Sequence, residues 1–327
     1  MLNSLFGKKN KKIVKQYRIA AEEGSADAMY ILALMYANGQ GVVQDDREAM
    51  KWWQKAAERG HADAMRNLGI IFRIGRGVVQ DDAKAIIWYR KAAERGNTQA
   101  MTDLGLMYFL ANNDLQNDVE AIKWWREAAE NGNAEAMCNL GNMFANGQGV
   151  TQDDVNAVNW FRKAAEGGYE DAKVNLGSMY LTGRGVPQDV IETIKLWRES
   201  AARGSTNAMC CLADLYRLGQ YVPQNYAEAV QWWSQAAQRG NANAMNNLGA
   251  GYAKGQGVVQ DFGKAVKWYR IGAENGNIDA MHSLGAALLI GRGILMNEAE
   301  GLKWLREAAK RGNPNSQDAL RKLDKSW

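Results

Sequence analysis

HADAMRNLGIIFRIGRGVVQDDAKAIIWYRKAAERG, residues His61 to Gly96, contains the architecture of the chain in one copy. In its first half Ala64, Met65, Leu68, Gly69, Ile71 and Phe72 fall on one arc at about 100° per residue, which predicts an amphipathic helix with a wide apolar face. We call it helix A. The second half, Asp82 to Arg95, predicts helix B: Asp81 or Asp82 caps its start, Arg95 and Gly96 close its end, and Ala85, Trp88, Tyr89, Ala92 and Ala93 form its apolar stripe. Between the two, GRGVVQ from Gly75 supplies glycines that accept positive φ and a valine that folds back onto the core. A phosphate loop would need a preceding strand, a third glycine and a lysine, so G-x-G reads here as a turn.

This stretch recurs without insertion or deletion. The alanine that opens helix A falls at Ala28, Ala64, Ala100, Ala136, Ala172, Ala208, Ala244 and Ala280, each 36 residues after the last. Trp52, Trp88, Trp124, Trp160, Trp232, Trp268 and Trp304 keep the same beat, interrupted at Leu196, where Trp197 stands one place on. Such self-similarity predicts units that bury their apolar faces by stacking on one another. Glycine recurs inside the apolar arc at Gly69, Gly105, Gly141, Gly177, Gly249 and Gly285, with Ala33 and Ala213 in the same column. Since glycine costs a helix about 1 kcal/mol against alanine, the column predicts close approach of another helix.

The predicted fold is all-α: a right-handed α-solenoid of eight helix-turn-helix repeats over residues 26–313 in one elongated domain. A capping helix over 13–25 precedes them, and another over 314–327 follows. Gln16 replaces the tryptophan in the first cap, and Arg321 and Asp324 replace the glycine and the aromatic in the last, polar residues where a further unit would have packed. Residues 1–12 read as a basic, flexible segment. Departures from the pattern fall at Ala111 and Asn113, at Tyr221 in place of a loop glycine, and at Lys173 in an otherwise methionine column.

Composition excludes several functions. Residues 1–18 carry six of the 40 bases and no acid, leaving 34 bases against 36 acids in the body, so no general attraction to nucleic acid is expected. No apolar run reaches membrane length, and no secretory signal is visible. Three cysteines out of step with the repeat fit a reducing compartment, and a cytoplasmic location is expected. The two histidines stand apart, and no H-E-x-x-H, C-x-x-C or nucleophile elbow occurs, so no catalytic residue, cofactor or metal site is predicted.

The combination A-x-x-x-L-G-x-x-Y, G-x-G-V-x-Q-D and A-x-x-W-x-x-x-A-A, traced from Ala244 to Ala273, resembles the Sel-one-like repeat family, a relative of the tetratricopeptide repeats. The resemblance covers Ile13 to Leu323. It implies a bacterial source and scaffold or adaptor roles in signalling, protein quality control and bacteria–host contact. Some secreted members carry a disulfide in every repeat, a pattern absent from this sequence.

With one arc of helix A committed to packing, the face left over is the one the family would turn to the concave side. A partner peptide is expected there, at Arg66, Asn67, Ile70, Arg73, Asp103, Leu106, Phe109, Asn139, Asn142, Asn175, Asp214, Arg217 and Asn247. Asn67, Asp103, Asn139, Asn175 and Asn247 form a ladder that either pairs with a peptide backbone or bonds to an adjacent helix, the structural use being preferred. On helix B, Arg90, Arg126, Arg162 and Arg270, each four residues before a glutamate, read as weak solvated pairs. The expected function is a non-enzymatic, monomeric protein-interaction scaffold. The alternatives are a secreted or periplasmic host-interaction factor and, more distantly, a peptide- or cell-wall-processing enzyme. The basic start, with Leu2, Leu5 and Phe6, reads as a solvated terminus, with anionic lipid or an acidic partner as the alternative contact.

Overall fold

The computed structural model describes residues 2–110 and 117–323, with side chains from residue 11 onward. Among the described residues every regular element is a helix, and the helices form two compact units. The first, up to Tyr169, holds α1 (Leu2–Glu22) and four pairs: α2 (Ala26–Asn38) with α3 (Asp46–Glu58), α4 (Ala62–Ile74) with α5 (Asp82–Ala93), α6 (Thr98–Leu110) with α7 (Asp118–Glu130), and α8 (Ala134–Asn146) with α9 (Asp154–Glu166). The second, from Glu170, holds α10 (Glu170–Thr182) with α11 (Val190–Ala202), α12 (Thr206–Leu218) with α13 (Tyr226–Gln238), α14 (Ala242–Lys254) with α15 (Phe262–Glu274), α16 (Ile278–Ile290) with α17 (Glu298–Lys310), and α18 (Pro314–Lys322). Within each unit a helix packs on the one before and the one after it, the α-solenoid pattern.

An unbroken repeat suggests one unit; the division falls at the repeat where Lys173 replaces methionine. Lys173 is buried, with Glu170 at 3.7 Å and Glu199 at 3.5 Å, so the second unit opens on an ion-paired cluster where other repeats place an apolar chain. The first helix also begins earlier than the expected cap. No proline interrupts residues 2–22, and their lysines favour helix, so α1 starts at Leu2 rather than Ile13. Ala111, Asn113 and Asp324 lie outside the described residues.

Local chemistry fixes the boundaries. Asp81, not Asp82, caps α5, its carboxylate accepting the Lys84 N–H at 2.9 Å. Such a cap is worth about 1 kcal/mol. Gly75 ends α4 with φ of 70°, in the left-handed region that glycine enters freely. In the loops Val42 and Val78 pack on the core, while Val43 and Val79 stand 88% exposed. Gln188, Gln224 and Gln260 fasten the turn by donating to the Leu181, Arg217 and Ala253 carbonyls, each at 2.8 Å.

From Gly69 to Gly249 the glycine column meets a ring of its own repeat, and Gly285 meets Leu305. A Cβ at Gly69 would lie 2.6 Å from Tyr89 Cδ1, and one at Gly141 2.5 Å from Phe161 Cε1. The aromatics at the centre are therefore Trp53, Tyr89, Trp125, Phe161, Trp197 and Trp233, all buried. The tryptophans that keep the stricter beat sit beside them: Trp52, Trp88 and Trp160 are half-buried under the ammonium groups of Lys55, Lys91 and Lys163, at 4.2, 4.5 and 4.7 Å.

One expectation about a polar row changes. Three helix-B arginines reach into the next repeat rather than along their own helix: Arg90 donates to the Tyr108 hydroxyl, Arg198 to that of Tyr216 at 3.1 Å, and Arg270 to Glu300 at 2.5 Å. A same-helix pair is worth only about 0.3–0.5 kcal/mol when exposed, so a partner across the stack competes easily. Amides that cap helix A also tie repeat to repeat. Asn97 caps α6 and donates to Asp63 at 2.7 Å, Asn277 caps α16 and donates to Asn243 at 2.7 Å, and Asn313 caps α18 and donates to Asp279 at 3.0 Å.

Candidate partner-binding face

In the first unit α4 carries Arg66, Asn67, Ile70 and Arg73, α6 carries Asp103, Leu106 and Phe109, and α8 carries Asn139 and Asn142. Arg66 and Asp103 meet directly, Nε to Oδ2 at 2.6 Å. Burial raises the pKa of Asp103, and the Arg66 guanidinium pulls it back. Beneath this pair the Tyr89 hydroxyl is buried without a hydrogen-bond partner in the protein. Its pKa is driven well above the usual phenol range, by burial first and by the Asp103 carboxylate next, with Arg73 and Arg66 acting the other way. Burial and Asp63 raise the pKa of Tyr30, against a side-chain hydrogen bond from Asn67. Asn67 and Ile70 line a cavity of about 170 Å³ with Leu34, Trp53, Ile74 and Arg76.

The apolar members are shared with the core. Ile70, Leu106 and Phe109 are partly buried against the cluster around Trp125, and the Phe109 ring lies 5.7 Å from that indole. Asn139 and Asn142 are half-buried, and Asn142 is engaged within the protein.

In the second unit Asn175 on α10 is likewise half-buried and engaged within the protein. Asp214 and Arg217, on α12, pair at 3.0 Å and face two openings. Asp214 borders an apolar slot of about 180 Å³ with Leu181, Trp197, Leu215, Leu218 and Tyr221. Arg217 borders a cavity of about 400 Å³ with Asn247, Trp233, Tyr226 and Lys254. Burial pushes the thiols of Cys210 and Cys211 up to about 11, a shift that leaves them poor nucleophiles at neutral pH.

The sequence reading missed two donors on this face. Trp125 and Trp197 donate their indole N–H groups to the Thr102 and Val174 carbonyls, at 3.1 and 2.9 Å. Those of Trp53 and Trp233 are buried without a partner, and each of these rings lines a helix-A cavity. The residue twenty positions earlier explains the difference. Gly105 and Gly177 leave room for the ring: a Cβ there would lie 2.5 and 2.4 Å from the indole nitrogen. Ala33 and Ala213 carry that Cβ, so Trp53 and Trp233 cannot take the same seat. The two alanines in a glycine column were the signal.

A profile of the Sel1 repeat matches eight consecutive segments: 26–61, 62–97, 98–133, 134–169, 170–205, 206–241, 242–277 and 278–313. The chain belongs to the Sel1 repeat family. As a Sel1 repeat protein it is similar to c5321, described as a protective antigen present in uropathogenic Escherichia coli strains and displaying an SLR fold. The two share 35% identity over 95% of this chain and 67% of that one, with a TM-score of 0.66. It is also similar to a Sel1 repeat protein from Oxalobacter formigenes, at 28% identity over 94% of this chain and 90% of that one, with a TM-score of 0.69. Among curated proteins none matches the sequence. Sel1 repeat proteins serve in general as interaction scaffolds, without catalysis. Among the described residues no helix is long and apolar enough to cross a membrane.

Proposed function

We propose that this Sel1 repeat protein is a non-enzymatic scaffold whose helix-A face holds an extended segment of a partner protein. One part of the face is built on Arg66, Asn67, Ile70, Arg73 and Asp103, another on Asp214, Arg217 and Asn247. The observation that carries the reading is the pair of unpartnered indole N–H groups of Trp53 and Trp233, each on a ring lining a cavity of this face. A buried donor left unpaired costs about 1–3 kcal/mol, and the carbonyls of an extended peptide satisfy such donors. Charged side chains line each cavity, Asp46 and Arg76 at Trp53 and Arg217 and Lys254 at Trp233, so side chains as well as backbone contribute to recognition.

The test is affinity capture with mass spectrometry, using the wild type and a variant with Arg66, Ile70 and Arg73 all changed to Ala. A specific prey lost only from the variant, with helicity unchanged, supports the face; identical captures remove it. We further propose a cytoplasmic location, supported by three free cysteines. Recovery of tagged protein outside the cell would overturn that proposal.

A further inference from the structure

A second surface is set apart by what the repeats do to one another. Helix B, or α1 in its place, carries arginine at one position: Arg18, Arg90, Arg126, Arg162, Arg198 and Arg270 among those followed by another repeat. Two residue types recur at fixed sequence spacings from it. Eighteen residues on, in the next helix A, are Tyr36, Tyr108, Tyr180 and Tyr216 after Arg18, Arg90, Arg162 and Arg198. Thirty residues on, in the first turn of the next helix B, are Glu48, Glu120, Glu192, Glu228 and Glu300 after Arg18, Arg90, Arg162, Arg198 and Arg270. Where Gln54 and Ser234 replace the arginine, Lys84 and Lys264 replace the glutamate. The covariation has a physical basis: Arg198 lies 3.8 Å from Glu228, and Arg270 pairs with Glu300 at 2.5 Å.

Arg126 lacks both partners. Eighteen residues on stands Phe144, which has no hydroxyl, and thirty on stands Asn156, which turns away to donate to Asp153 at 2.7 Å. Among the described residues Arg126 makes no hydrogen bond or ion pair. Beside it opens a cavity of about 670 Å³ between α7 and the loop after α8. Val119, Ile122 and Val150 form its aliphatic wall, and Lys123, held by Glu120 at 3.8 Å, is a second cation. Glu127 and Glu130 line the remainder, so the opening suits one carboxylate and repels a polyanion.

We propose that this opening on α7 binds a partner-protein segment presenting one glutamate or aspartate side chain next to an aliphatic one. The partner supplies to Arg126 the carboxylate that Glu228 supplies to Arg198 and Glu300 to Arg270. The site stands on helix B and shares no residue with the helix-A face, so either can fail alone.

The test uses the full chain with nitrogen-15 arginine, the Arg126 Nε–H resonance being assigned by its loss in Arg126→Gln. The probes are Ac-Val-Glu-Ile-NH2, Ac-Val-Gln-Ile-NH2 and inorganic phosphate. A saturable shift is expected with the glutamate peptide, and binding about tenfold weaker with the glutamine peptide or phosphate, the scale of one charge-assisted hydrogen bond. Asn156→Glu, which restores the internal carboxylate, weakens glutamate-peptide binding about tenfold, while Asn156→Gln leaves it unchanged. Circular dichroism checks that both variants fold. No shift with the glutamate peptide, an equal response to either control probe, or undiminished binding in folded Asn156→Glu overturns the proposal.

Discussion

The repeat of α2 and α3 and the repeat of α6 and α7 differ in one methyl group at the centre of the helix pair. In the latter Gly105 lets the Trp125 indole settle against helix A and bond to the Thr102 carbonyl at 3.1 Å. In the former Ala33 occupies that space, and Trp53 keeps an unpaired N–H at a cavity lined by Asn67 and Ile70. The same contrast separates Gly177 with Trp197 from Ala213 with Trp233. A glycine that is a liability for the isolated helix is thus the condition for a closed interior, and alanine, the better helix former, leaves a polar group unsatisfied. We read that as stability exchanged for a binding donor.

The comparison breaks most sharply at Gly105. Gly105→Ala places a Cβ 2.5 Å from the indole nitrogen, and unfolding by denaturant should show a loss of about 2–4 kcal/mol despite the gain of about 1 in helix propensity. Next comes a pair of ring replacements. Trp125→Phe should cost about 1 kcal/mol more than Trp53→Phe, because only the former removes a made hydrogen bond. Equal costs would mean that the two indoles are equivalent. A smaller effect is expected from Ala33→Gly, within about 1 kcal/mol of wild type, since lost propensity offsets the new bond. Its decisive readout is slowed exchange of the Trp53 indole proton, accompanied by weaker partner binding.

The smallest effect concerns the Arg66–Asp103 pair that bridges α4 and α6. Burial raises the folded pKa of Asp103 above the 3.8 of the unfolded chain, so its contribution to stability is full below 3.8 and is lost as pH rises through the folded value. Asp103→Asn removes this contribution. On acidification from neutral pH towards about 4 the variant should therefore lose stability more steeply than wild type, as seen in denaturant midpoints. Parallel curves would show that Asp103 is not desolvated in the fold.

Much of this was legible in one repeat. The period, the helix pair, the Gly75 turn and the cap by Asp81 or Asp82 follow from residues a few positions apart, because capping and left-handed turns are local. Partners across repeats were not legible in the same way. Arg90 reads as the start of an Arg–Glu pair on its own helix, yet it bonds Tyr108, and Asn97, which the sequence does not single out, caps α6 and bridges to Asp63. Both partners are far away in sequence, and only stacking brings them within bonding distance. The strictest column misled for the same reason. Trp52 and Trp88 keep the beat, but a difference of one position, about 100° around the helix, puts Trp53 and Tyr89 at the centre instead.

By itself the sequence determined that this protein is a Sel1 repeat stack, since periodic burial of a helix face needs only composition at the right spacing. Tertiary structure alone decided which polar groups that stack leaves unpaired. Whether the indole of Trp53, the hydroxyl of Tyr89 or the guanidinium of Arg126 finds a partner depends on sub-ångström room beside a Cβ and on which side chain the next repeat presents. Neither quantity is written in the spacing of residues along one helix.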